Sequence, residues 1–195
     1  MNNYNFYVIG MGASAGGIEP LVNIVTGIPA NINAAIILNQ HLPTGTPSNL
    51  GKLVERNSKL KVVVVETIEY IEPGNVYVMA SGMQFKLEGC FLQAEARDAG
   101  EKINHTIDKL FFSLAKVAGD KSVGVILSGT GSDGLQGAQA IENQKGLVIV
   151  QDPITAEFPS LPQNLIANDH PDYVLSPDEI NRKICEYAGT RALNN

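Results

Sequence analysis

Three short segments of this chain carry side chains whose types and spacing could do chemistry, and the first is Gly12-Ala13-Ser14-Ala15-Gly16. Its G-x-S-x-G spacing suits a sharp strand-to-helix turn, because small residues on either side of a serine let the backbone fold tightly and present the hydroxyl. A helix beginning around Gly17 would aim free backbone N–H groups and the positive end of its dipole at that hydroxyl, where a tetrahedral oxyanion develops during acyl transfer. The same glycine-rich turn also fits a plain connection or a phosphate cradle, so the motif alone does not select hydrolysis.

The second segment is Leu38-Asn39-Gln40-His41-Leu42-Pro43, in which an apolar strand delivers His41 at its carboxyl end. Open α/β sheets place their ligand sites at that end, and an imidazole there can act as a general base. A lone histidine at a strand end is otherwise a loop or hydrogen-bonding residue. The third segment is Leu127-Ser128-Gly129-Thr130-Gly131-Ser132-Asp133-Gly134, where another apolar strand enters a glycine-rich turn. Asp133 is placed either to orient a histidine or to cap the helix that starts at Leu135, and both roles can coexist. Ser14, His41 and Asp133 at neighbouring strand ends supply nucleophile, general base and orienting acid, the set that acyl transfer needs.

Their order along the chain is Ser, His, Asp. Ordinary α/β-hydrolases run Ser, Asp, His, so the motif does not assign the chain to that family. A dinucleotide site is also disfavoured. Gly10-Met11-Gly12 followed by Gly16 is not G-x-G-x-x-G, and Asn39-Gln40 offers no acid for a ribose. His105 reads as part of the loop before the central helix and His170 as a turn, so neither competes as the base.

The elements that must hold these residues follow a β-α-β-α rhythm. Phe6 to Ile9 reads as a strand, Ile18 to Val25 as a helix, Ala34 to Leu38 as a strand and Asn49 to Arg56 as a helix. The rhythm resumes with a strand at Val123 to Leu127, a helix at Leu135 to Asn143 and a strand at Leu147 to Val150. Continuous apolar strands imply a mainly parallel sheet covered on both faces. Lys61 to Leu92, broken at Pro73-Gly74, Ser81-Gly82 and Glu88-Gly89, reads instead as an antiparallel excursion that includes Val62 to Val65 and Val76 to Met79. Asp108 to Ala118 has helical apolar spacing, with Thr106 or Asp108 as its expected cap, and Asp178 to Tyr187 forms a last helix. The expected fold is α/β, three-layer and doubly wound, with a mainly parallel sheet and a small antiparallel β excursion.

Composition narrows the function further. A chain of 195 residues with 44% hydrophobic content suits one domain, read here as residues 1–195 with a core of about 5–187. A net charge of -6 without clustered lysine or arginine argues against nucleic acid as a partner. Cys90 and Cys185 stand far apart, outside any metal-ligand or disulfide spacing. No apolar run is long enough for a signal peptide or membrane insertion, and a reducing compartment fits best.

The quoted segments, together with Pro73 to Val78, Ile107 to Phe111, Gln151-Asp152, Ala156-Glu157-Phe158 and Asp172 to Leu175, closely resemble the catalytic domain of CheB-type chemotaxis methylesterases. The resemblance covers nearly the whole chain, in spacing as well as residue type. It implies a cytoplasmic enzyme that removes methyl esters from glutamate side chains of bacterial chemoreceptors and can deamidate receptor glutamines, with Ser14, His41 and Asp133 in the triad positions. It implies no metal and no organic cofactor. It also implies that the backbone N–H of Thr130 contributes to the oxyanion site, where the family often has methionine.

Three departures bear on regulation and docking. The family's usual N-terminal receiver domain does not precede Tyr4, so the expectation is a stand-alone esterase, an excised domain, or kin of hybrids with a methyltransferase domain, without phosphorylation in cis. Asn104-His105-Thr106 replaces the family's arginine and proline before the central helix, and Ser160-Leu161-Pro162 replaces its Gly-Met-Pro. A non-catalytic or retargeted domain of the same fold, binding a receptor or other partner protein, is the alternative these changes leave open.

Overall fold

Strand β1 (Tyr7–Ala13) is apolar and almost wholly buried, which suits the middle of a sheet with both faces covered. In the computed structural model, which describes residues 4–41, 48–97 and 105–191, β1 occupies that position. β2 (Ala34–Gln40), β3 (Lys61–Val65), β5 (Asn75–Met79), β8 (Ser122–Ile126), β9 (Leu147–Gln151) and β10 (Tyr173–Leu175) complete a seven-stranded sheet in the order β10-β9-β8-β1-β2-β5-β3. Every pairing in it is parallel. The chain winds outward from β1 in one direction, then returns to its other side at β8. The topological switch point therefore lies between β1 and β8, where such sheets open a crevice.

Alternate residues of each strand feed two separate cores. Ile9, Met11, Ile36 and Leu38 pack under α1 (Ile18–Thr26), α2 (Leu50–Asn57) and α6 (Pro177–Ala188). Val8, Ala35, Ile37 and Ile126 pack under α3 (Thr106–Ala118), α4 (Leu135–Asn143) and α5 (Ser160–Asn168) on the opposite face. Helix α3 forms because Ile107, Leu110, Phe111 and Leu114 recur at helical spacing, and all four are fully shielded from water. Burying each such side chain contributes about 1.5–3 kcal/mol. The three-layer, doubly wound architecture is the one the strand and helix pattern predicts. No helix among the described residues is long and apolar enough to cross a membrane.

The antiparallel excursion is real but smaller than expected. Only β4 (Ile68–Tyr70), β6 (Met83–Glu88) and β7 (Phe91–Ala96) form the antiparallel sheet, in the order β4-β7-β6. Val62 to Val65 and Val76 to Met79 belong instead to the parallel sheet, the first in its edge strand and the second in the strand just inside it. The burial explains the difference: β5 is buried along its whole length, as a two-faced strand requires, whereas β6 alternates between buried and exposed over Phe85 to Glu88.

Candidate active site

Ser14 directly follows β1, His41 directly follows β2, and Asp133 lies in the turn between β8 and α4. The strands β8, β1 and β2 are neighbours in the sheet and run parallel, so these three turns emerge side by side at its carboxyl edge. Backbone hydrogen bonds lock the turns together. The Ser14 N–H donates to the Ser128 carbonyl at 3.0 Å, and the His41 N–H donates to the Ala13 carbonyl at 2.8 Å. The Gln40 carboxamide donates to the Ser14 carbonyl at 2.6 Å and to the His41 carbonyl at 3.1 Å. That one side chain ties the serine turn to the histidine turn.

His41 Nε2 lies 2.8 Å from Asp133 Oδ2, with both side chains largely buried. The contact is close, although Nε2 has no hydrogen-bond partner among the described residues. Such bonds in a free enzyme commonly tighten when substrate is bound. With Nε2 turned to the carboxylate, Nδ1 is the ring nitrogen left to accept a proton. The Asp133 carboxylate also accepts the Ile107 N–H on Oδ2 and the Asp108 N–H on Oδ1, each at 2.9 Å. Those donors are orphans of the first turn of α3, so Asp133 is held at the positive end of that helix.

This arrangement corrects two expectations about caps. Asp133 does not cap the helix that follows it, since the N-cap of α4 is Gly134 with no side-chain bond. Neither Thr106 nor Asp108 caps α3, whose N-cap is His105, also without a side-chain bond. The capping acid comes from the neighbouring turn, and Asp108 returns the contact: its Oδ1 accepts the Gly137 N–H of α4 at 2.7 Å.

Ser14, Gln40 and His41 line one cleft of about 840 Å³ that extends along α1 and α2, where Ile18, Val22 and Leu53 form its apolar wall. A cavity of about 530 Å³ between β6 and α3 contains none of the three chemical residues. The N–H groups of Ala15 and Gly16, which follow the serine, donate to no described residue. The Thr130 N–H likewise has no partner among the described residues, and Thr130 is exposed at the start of the Asp133 turn. These groups are the available donors for an oxyanion. Leu42, Pro43 and Asn104 lie outside the described residues. Of the altered docking segment, His105 is exposed beside Asp108, with Nδ1 3.7 Å from Oδ2.

Sequence reasoning missed Gln40, Asp108 and Ser128 as parts of the site. Ser128 stitches it from below, since its hydroxyl donates to the Ala15 carbonyl at 2.9 Å and accepts the Phe158 N–H at 3.0 Å. A signal for Asp108 did exist: it shares a helical face with Phe111 and Ala115, which makes it an acid on a buried stripe.

Comparison with known proteins adds a consistent kinship. A family model described as CheB methylesterase matches residues 9–184. A Leptospira interrogans protein whose name assigns it methylesterase and glutaminase activity provisionally is 34% identical over 179 residues, which is 90% of this chain and 92% of that protein. A Moorella thermoacetica protein-glutamate methylesterase/protein-glutamine glutaminase is 33% identical over 178 residues, covering 89% of this chain but 42% of its own length. The crystal structure of the Thermotoga maritima CheB methylesterase catalytic domain superposes with a TM-score of 0.85 at 28% identity, covering 94% of this chain and 99% of that one.

Proposed function

We infer the activity from kinship and geometry together: the chain belongs to the CheB methylesterase family, and its sheet edge carries the groups that acyl transfer uses. It is a protein-glutamate methylesterase, and the same chemistry extends to deamidation of protein glutamines. The substrate we propose is a methylated chemoreceptor in the cytoplasm, and we read residues 1–195 as one catalytic domain. A receiver or methyltransferase domain, fused or separate, is the regulatory partner the resemblance suggests.

In the proposed mechanism Ser14 attacks the carbonyl carbon of the side-chain ester while His41 Nδ1 takes the hydroxyl proton. The oxyanion forms against the N–H groups at the start of α1, with the Thr130 N–H as the donor from the opposite turn. His41 returns its proton to the leaving methoxide, and methanol departs. Water, deprotonated by the same nitrogen, then attacks the acyl-enzyme; as the acyl–oxygen bond breaks, His41 returns that proton to Ser14 and the glutamate carboxylate is freed. Asp133 holds the imidazole by Nε2 throughout and balances the imidazolium charge.

The observation that carries this reading is the 2.8 Å contact of Asp133 with His41, a residue that lines the same cleft as Ser14. Ser14→Ala should lower kcat for methanol release from methylated receptor by about 10³-fold or more with an unchanged thermal transition. Methanol release at the wild-type rate by that variant would refute the serine mechanism.

A further inference from the structure

The buried carboxyl of Asp108 has no part in the mechanism above, yet it stands against the acid that orients His41. Asp108 and Asp133 are 6% and 7% exposed, and their carboxylate oxygens come within 4.8 Å of each other. Each binds the start of the other's helix: Asp133 accepts N–H groups of α3, and Asp108 accepts the Gly137 N–H of α4. Two carboxylates so close and so dry cannot both ionise cheaply, which favours a proton kept on one of them.

Which of the two retains it follows from their surroundings. Asp133 is met by the backbone N–H groups of Ile107 and Asp108 and by the His41 imidazole. Asp108 is pushed above the usual carboxylate range, first by burial, against the opposing pull of the Gly137 and Gly134 N–H groups, and then by the charge of Asp133. Nearby charged groups leave that balance intact. The first turn of α4 has no acid, Lys109 turns its ammonium to Gln84 of β6 at 2.8 Å, and Lys86 pairs with Glu88. His105 is half-exposed, at 3.7 Å.

We propose that Asp108 is a positioning residue for the triad: a neutral carboxylic acid that donates its proton to Asp133 and confines the pair's single negative charge to the carboxylate facing His41. The proposal rests on Asp133 being the triad acid. Its value to catalysis is electrostatic. A second negative charge beside Asp133 would favour the imidazolium form of His41, leaving less free base at neutral pH.

The test compares pH profiles of kcat/KM for methanol release. Asp108→Ala removes the donor and strands a buried N–H, and should lower kcat by about tenfold to a hundredfold. Asp108→Asn keeps a neutral donor of the same shape, so it should restore most of that loss and leave the acid limb of the profile where the wild type has it. If the acid limb in Asp108→Asn falls by about half a unit or more, Asp108 is ionised in the wild type and the proposal is overturned. A loss in Asp108→Asn as deep as in Asp108→Ala overturns it too. The side-chain ¹³C resonance of Asp108 gives a second reading that needs no folded variant at this position. Measured in Ser14→Ala at pH about 5.5, above the ordinary aspartate value of about 3.9, it should still be that of the acid, and a carboxylate resonance there overturns the proposal. The two readings fail separately, because activity retained by Ser14→Ala strikes the serine mechanism and leaves the resonance of Asp108 unaffected.

Discussion

The turn after β1 and the turn after β8 are built to one local plan, a buried parallel strand running through glycine and serine into a helix, yet they use their helix N-termini in opposite ways. At the first, α1 begins at Gly17 without a side-chain cap, and the Ala15 and Gly16 N–H groups donate to no described residue. At the second, the neighbouring helix supplies the acceptor, since Asp108 takes the Gly137 N–H and Asp133 takes two donors of α3 in exchange. An open N-terminus keeps its donors and dipole for a charge that arrives only during the reaction, whereas a filled one spends them on holding a permanent charge still. Catalysis at this edge needs both: one turn responsive to substrate, the other rigid enough to fix an imidazole.

The filled turn is the more costly to disturb. Asp133→Asn keeps the shape of the side chain but removes the charge opposite His41 and turns one acceptor into a donor that faces backbone N–H groups. We expect kcat for methanol release to fall by about 10³ to 10⁴-fold, and the thermal transition to drop as α3 loses part of its cap. A variant within about tenfold of wild type would mean that Asp133 orients nothing. The two turns also touch directly, because a Cβ on Gly129 would lie 2.8 Å from both Ser14 Cβ and Leu161 Cδ2. Gly129→Ala should therefore move the nucleophile and lower kcat by about a hundredfold with little change in KM. Crystallography of that variant should find Ser14 displaced, and an unmoved serine with full activity would dissolve the coupling between the turns.

Much of this edge was legible because it depends on local signals. β1, β2 and β8 are short, buried parallel strands; Ser14 and His41 directly follow the first two and Asp133 lies in the turn after the third, so strand direction brings all three to one edge. What was illegible depends on pairings distant along the chain. Val76 to Met79 looked like a hairpin strand because Pro73-Gly74 precedes it, but it runs parallel between β3 and β2, the latter from the other side of α2. Asp133 looked like the cap of its own helix because capping is a local habit, but its donors lie in a helix packed across it. Asp108 looked like a first-turn acid of ordinary kind until α4 was brought against it. Local patterning sets the direction of each element, and only packing reveals which backbone donors remain unspent.

The contact that lets the second turn close can be tested without touching either acid. A Cβ on Gly137 would lie 2.5 Å from Phe111 Cβ and 3.1 Å from the Asp108 backbone, positions that cannot yield by rotating a flexible side chain. Gly137→Ala should separate α3 from α4 and destabilise the fold by about 1–3 kcal/mol in urea unfolding, more than the helix propensity it gains of about 1 kcal/mol. Unchanged stability would show that the two helices have room to spare.

The opposite end of α4 offers the weakest and most specific contrast. Glu142 stands near its C-terminus, where no backbone N–H is free to stabilise a carboxylate. Its carboxyl is pushed up to about 7, first by burial and then by the charge of Asp169. Because the folded value exceeds the unfolded one of 4.5, the stability this group contributes is intact below pH 4.5 and is lost as pH rises through about 7. Glu142→Gln removes that dependence, so its melting temperature should match or trail wild type at pH 4 and exceed it at pH 8. Partial exposure to solvent keeps the gain below about 1 kcal/mol, a few degrees at most. Melting curves that keep a constant gap between the two proteins from pH 4 to 8 would mean that Glu142 ionises as freely in the fold as in the unfolded chain, and that the two ends of α4 do not differ in how they hold an acid.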